Sequence, residues 1–200
     1  MTDQQYHANG ASNESSSIER EKAQQAIRML LEALGEDPYQ SRLEETWKRR
    51  VPSSFETLTE GLRETEKPEL RTFDSKNADL VVKTGIPIYS LCEHHILPFH
   101  GKAHIAYRPD GGVVGLSKLS RYVRWQSRRL TVQEELTRDI AVGLADEIET
   151  TAVQVELTAT HLCEAMRGVE TATETTTQST VGELTDAERR RFRSAIDSHE

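Results

Sequence analysis

Cysteine is nearly absent from this chain. Two residues in 200 exclude a disulfide-dense secreted scaffold and make a reducing cytoplasm the default compartment. Long hydrophobic runs are missing too: no apolar stretch could span a bilayer and no signal-peptide pattern is present, so a cytoplasmic protein without a membrane partner is expected. Positive charge is in deficit, with 25 Lys and Arg against 33 Asp and Glu. The resulting net charge of -8 argues against general affinity for nucleic acid and is compatible with a salt-adapted cytosol. The length suits one domain with terminal extensions and a real core.

The two cysteines that are present both sit in histidine-bearing motifs, Cys92-Glu93-His94-His95 and His161-Leu162-Cys163. Zn²⁺ favours thiolate and imidazole donors in a tetrahedron, and three protein ligands leave a fourth position for water, the pattern of a hydrolytic site. A lone disulfide, or two inert buried thiols, are the competing readings. The second motif closes a run in which Val153, Val155, Leu157, Ala159, His161 and Cys163 alternate, as on one face of a strand. An apolar face ending in His and Cys delivers two donors to the rim of a core; its bland counterpart is a core histidine beside a buried thiol.

Residues 1–15 are polar and aperiodic and read as a disordered tail. Residues 16–65 read as a helical region. Its first helix has a possible capping box Ser16/Glu19, a stripe Ile27, Leu30, Leu31 and Leu34, and a stop at Gly35. The second opens at Ser41/Glu44 and carries Leu43, Trp47 and Val51. Pro52 is expected to break or kink it before Phe55, Leu58 and Leu62. Residues 63–76 read as a connection. The remainder, counted as a domain over 66–200, alternates strand and helix signals. A strand from about Ala78 to Tyr89 bends at Gly85 and Pro87, and a second covers Lys102 to Arg108 before a turn at 109–112. Helices follow from Ser117 and over about 132–149, then strands over 153–163 and on to about Val181, then a helix opened by the box Thr185/Glu188. This is an α+β pattern with a largely antiparallel sheet.

Between Ser117 and Gln133 an acidic chain carries Lys118, Arg121, Arg124, Arg128 and Arg129 and no acid. On one ideal helix these five fall within roughly 140° of arc. With Ser117 as cap, such a face at a helix N-terminus can receive phosphate oxygens; a solvated or salt-bridged face is the alternative. Gln133 and Glu134 follow at a helix start. Capping is the ordinary role there, although a carboxylate can also pair with two adjacent N–H groups of guanine.

Together these blocks resemble the GTP cyclohydrolase I family. The matching segments are Tyr89 to His95, Gly115 to Lys118 with Arg121, Arg129 to Glu134, and His161 and Cys163 with Met166-Arg167-Gly168. They lie in the family's order and spacing over about residues 25–197, with Gly35 to Pro38 near the first helix end. The resemblance implies a tunnelling fold, in which sheets from five subunits close a barrel and two rings stack into a toroidal homodecamer. It implies Cys92, His95 and Cys163 as zinc ligands, His94 and His161 as proton-handling groups, Gln133 and Glu134 at the guanine, and Ser117, Lys118, Arg121 and Arg167 around the ribose triphosphate. Arg49 resembles an arginine contributed by a neighbouring subunit. The implied reaction opens the imidazole ring of GTP, releases formate and forms 7,8-dihydroneopterin triphosphate, the entry to pterin and tetrahydrofolate biosynthesis. Departures occur at Arg42 and Trp47, in the segment that leads to Arg49, and at Glu164, where the family often has an apolar residue. The alternatives are a non-catalytic zinc- or pterin-binding protein, or another purine- or pterin-converting enzyme of the same fold, such as a nitrile reductase with a cysteine nucleophile.

Overall fold

The computed structural model describes residues 18–75 and 79–198, so the expected tail over 1–15 and the Ser16 cap lie outside the described residues. Helix α1 spans Arg20–Ala33 and ends as the sequence predicts. Gly35 takes φ +84°, and the Glu36 N–H reaches Leu31 O at 3.0 Å, a left-handed closure that glycine adopts without steric cost. The expected apolar stripe is only partly covered among the described residues: Ile27 and Leu31 are half-buried, whereas Leu30 is 54% and Leu34 70% exposed.

Pro52 does not break the next helix. A π-helical turn at Thr46–Arg50 runs directly into α2, Val51–Leu58, with Pro52 in its first turn. Proline offers no N–H to the carbonyl four residues back, that of Lys48. Gln24 of α1 answers that carbonyl instead, its Nε2 donating to Lys48 O at 2.6 Å. The helix begins at Glu44, as expected, but Ser41 forms no capping bond among the described residues, and Leu62 lies exposed in a separate 3₁₀ turn, Glu60–Leu62.

A second 3₁₀ turn, Glu64–Glu66, precedes β1, Thr72–Asp74, inside the segment read as a connection. Then come β2 (Val81–Cys92), β3 (Pro98–Pro109), β4 (Gly112–Val114), α3 (Leu116–Ser127), β5 (Leu130–Thr131), α4 (Gln133–Glu147), β6 (Thr150–His161), the short α5 (Leu162–Ala165), β7 (Glu174–Gly182) and α6 (Asp186–Asp197). The main sheet has the order β5-β2-β3-β6-β7 and is antiparallel apart from the two-residue β2/β5 pairing. A register shift between Lys83 and Ile86 marks the bend expected at Gly85. Strands β1 and β4 form a separate ribbon.

One sheet face packs against α3 and α4 through buried Phe99, Ile105, Leu119, Ile140, Leu144 and Val155. Each such side chain contributes roughly 1.5–3 kcal/mol. The two helices approach closely at Gly143, where an added Cβ would lie 2.0 Å from the Tyr122 hydroxyl. On the other face, Phe192 and Ile196 of α6 cover Ala106 and Ala152. The predicted box is present, with the Glu188 N–H donating to Thr185 Oγ1 at 3.3 Å and the Thr185 N–H to Glu188 Oε2 at 2.7 Å. Arg108 of β3 clamps Glu188 with both guanidinium arms and anchors α6 to the sheet.

Candidate metal centre

Strand β2 ends at Cys92, and the loop to β3 folds back at once. Cys92 O accepts from the N–H groups of His95 at 3.3 Å and Ile96 at 2.8 Å, while the Cys92 N–H donates to Leu97 O at 2.9 Å. Ile96 completes the reversal with φ 55°, a left-handed conformation costly for a β-branched residue. The turn carries His95 back over Cys92, with Nδ1 at 3.8 Å from Sγ. Cys163 arrives from another direction. It does not continue the β6 alternation as the sequence suggests, because the strand ends at His161 and Cys163 lies in α5.

The donor atoms of Cys92, His95 and Cys163 all lie within 4.8 Å of one another, and both thiols are free. Burial pushes the Cys163 thiol up, and the adjacent Cys92 sulfur and Glu164 carboxylate add to the rise. Two sulfurs and one imidazole suit zinc, with one coordination position left over.

The two remaining histidines of these motifs, His94 and His161, differ in setting. His94 is exposed, with its ring nearly perpendicular to that of His95 and Nε2 at 3.7 Å from Glu93. His161 is half-buried, stacked on Phe99 at 4.8 Å, and bonded through Nε2 to Gln133 Oε1 at 2.7 Å. Burial pushes its imidazole below the ordinary range, with Glu134 and Glu164 partly opposing. Phe99 stands directly opposite His161 in the β3/β6 register, a partner missed because the strand signal was read only from Lys102. Gln133 is buried and Glu134 is exposed at the α4 start, where Val132 is the N-cap and no side chain caps.

The basic segment is not one face. Helix α3 stops at Ser127, and its N-cap is Gly115, not Ser117, which lies exposed in the first turn. Arg124 pairs with Glu60 at 3.1 Å, Arg128 lies over Tyr89, and Arg129 turns inward to Gly61 O at 2.9 Å and over the Trp125 ring. Burial pushes the Arg129 guanidinium below its ordinary value. Lys118, Arg121 and Arg167 have no ion-pair partner among the described residues. Arg121 lines a cavity of about 350 Å³ with Ile86, Pro87, Tyr89, Arg124 and Arg128, which contains no metal donor. Ser117 and Cys92 belong to opposite ends of the fold. Val114, just before α3, bonds the Tyr107 hydroxyl, and Tyr107 pairs with Val81 at the far end of β2. The 12-residue α3 alone accounts for about 18 Å. Arg49, in the π-helical turn, is exposed and pairs with Glu45 at 3.0 Å.

A sequence model of the family described as GTP cyclohydrolase I matches residues 23–197. The chain belongs to the GTP cyclohydrolase I family. It is 48% identical over 167 residues to GTP cyclohydrolase 1 of Hyperthermus butylicus, covering 84% of each chain. The corresponding protein of Halalkalibacterium halodurans is 45% identical over 156 residues, 77% of this chain and 82% of that one. That of Campylobacter lari is 43% identical over 162 residues, 80% of this chain and 85% of that one. Among the described residues of this family member, no helix is long and apolar enough to cross a membrane.

Proposed function

We propose that this chain is a zinc-dependent GTP cyclohydrolase, which hydrolyses GTP to 7,8-dihydroneopterin triphosphate and formate in the cytoplasm. The observation that carries the reading is the Cys92, His95 and Cys163 donor group beside a stacked, bonded His161. Cys92, His95 and Cys163 would hold the zinc ion, which would supply the Lewis acidity that a water nucleophile needs near neutral pH. The chain's own groups do the rest. His161 and His94 hold and move protons at the ring nitrogen that departs as the imidazole opens. Glu134, exposed at the start of α4, accepts the guanine N1 and N2 protons. Lys118, Arg121, Arg167 and Ser117 hold the triphosphate, and binding energy there orients a carbon that is itself a poor electrophile. Two hydrolyses consume two waters, and closure of the pterin ring returns one.

A shared site in a homodecamer follows from the same reading. Support comes from the opposite placement of the Cys92 and Ser117 ends within one chain, from the exposed Leu30 and Leu34 of α1, and from Arg49 facing outward. A nitrile-reductase chemistry needs a cysteine free to attack carbon, whereas both cysteines here belong to the donor group. The test is incubation of zinc-replete protein with GTP, following formate and the fluorescence of the oxidised pterin. Stoichiometric formate is expected; GTP left intact by fully metallated protein would end the proposal.

A further inference from the structure

We propose that Gln133 is a positioning residue that holds His161 in one tautomer, Nε2 protonated and Nδ1 bare, rather than a contact to the substrate base; this rests on reading His161 as a proton-handling group. The Gln133 side chain is 1% exposed. Its Nε2 faces Leu157 O at 3.1 Å, Thr175 O at 2.8 Å and Thr177 Oγ1 at 3.2 Å. Two of these partners are backbone carbonyls, which only accept, so nitrogen must occupy that side of the amide.

The threonines impose the same direction. Thr137 Oγ1 donates its one proton to Gln133 O at 2.6 Å, so Thr177 Oγ1 must donate to Thr137 Oγ1, also at 2.6 Å, and offers Nε2 only a lone pair. Turning the amide over would set Oε1 against two carbonyl oxygens with no compensating donor. Its oxygen is thereby fixed toward His161, at 2.7 Å from Nε2. An oxygen without a proton requires N–H opposite, so neutral His161 carries its hydrogen on Nε2. Nδ1 has no hydrogen-bond partner among the described residues and is the nitrogen open to a reacting proton. Stacking on Phe99, with an 11° interplanar angle, fixes the ring plane. Elements α4, β6 and β7 thus converge on one decision, which nitrogen is the base.

The test is the ring ¹⁵N spectrum of histidine-labelled protein, metal-free and zinc-loaded, with His161→Gln identifying the signal. Protonated Nε2 and bare Nδ1 are expected in the parent. Gln133→Met, similar in volume but without the oxygen, should give mixed tautomers, and Gln133→Glu, which keeps an acceptor, should retain the parental one. With GTP, Gln133→Met should lose kcat on the order of 10²-fold with KM held. A raised KM with kcat intact would make Gln133 a base contact and overturn the proposal. Protonated Nδ1 in the parent overturns it whether or not GTP turns over, even if Gln133→Met fails to fold. The expected tautomer without formate release would count against the functional reading alone.

Discussion

Around His161 the buried polar groups are answered from within the chain: Gln133 is saturated, His161 is bonded and stacked, and three metal donors converge in the same corner. At the Ser117 end of α3 the reverse holds, since Lys118 and Arg121 lack an acidic partner among the described residues and Leu116 is 61% exposed. A buried corner rich in polar groups folds only if each is paired, so its partners must be encoded in the same chain. A cationic edge can wait for an external anion or another subunit. The donor group is therefore complete in one polypeptide, while the cationic edge is an open surface.

The sharpest way to break this contrast is to empty the corner. Cys163→Ala should remove zinc and reduce formate release to background, while circular dichroism stays near that of the parent, because Cys163 only borders the core on α3 and α4 and the change removes one atom. Zinc retained at one equivalent would separate Cys163 from the metal. Glu134→Ala comes next, with a loss in kcat/KM for GTP on the order of 10⁴-fold, since a paired polar recognition site discriminates far better than an apolar one. Parental turnover would leave Glu134 as a helix-dipole residue.

Lys118→Ala should weaken GTP binding by about 1.5–3 kcal/mol, the range for a charged hydrogen bond. Subunit mixing sharpens the result. If the two halves come from different copies, reassembling equal amounts of Cys163→Ala and Lys118→Ala protein should restore about a quarter of the sites. No recovery on mixing would place both halves in one chain. The smallest effect is expected far from either half, at the α6 clamp. Arg108 beside Glu188, with Thr185, holds that carboxyl down to about 2 from an ordinary 4.5. The shift is downward, so its stabilisation is full above the ordinary value and is lost as pH falls toward 2. Glu188→Gln should lower Tm by about 2–4 °C at neutral pH and flatten the acid limb of a Tm-against-pH curve.

The metal corner was largely legible because its chemistry is carried by rare residue types at fixed spacing. Cys92, His95 and Cys163 meet as a donor group, although Cys163 sits one element later than the alternation implied. The β6 face and the Thr185 box were equally readable, since a period of two and a reciprocal cap are local signals. The basic run misled because a helix wheel assumes the helix continues. Chain reversal after Ser127 sends Arg129 inward onto Trp125, a tertiary contact that charge spacing does not encode. Pro52 marks a change from π- to α-helix but no break, its missing bond being replaced by Gln24 from a different helix. The role of Phe99 depends on a cross-strand register set by a loop, not by its own neighbours in sequence.

That loop also bears on how the family can vary in length. Five residues, 93–97, connect β2 to β3, whose register pairs Leu91 with Pro98, and the reversal falls on Ile96. One inserted residue would move the left-handed position off Ile96. If it were absorbed by the strand instead, successive side chains of β3 would exchange faces, turning Phe99 away from His161 and His100 into the core. Insertions should therefore accumulate at the 109–112 turn, where Gly111 already supplies a left-handed residue at φ 92°, and be purged between Cys92 and Leu97.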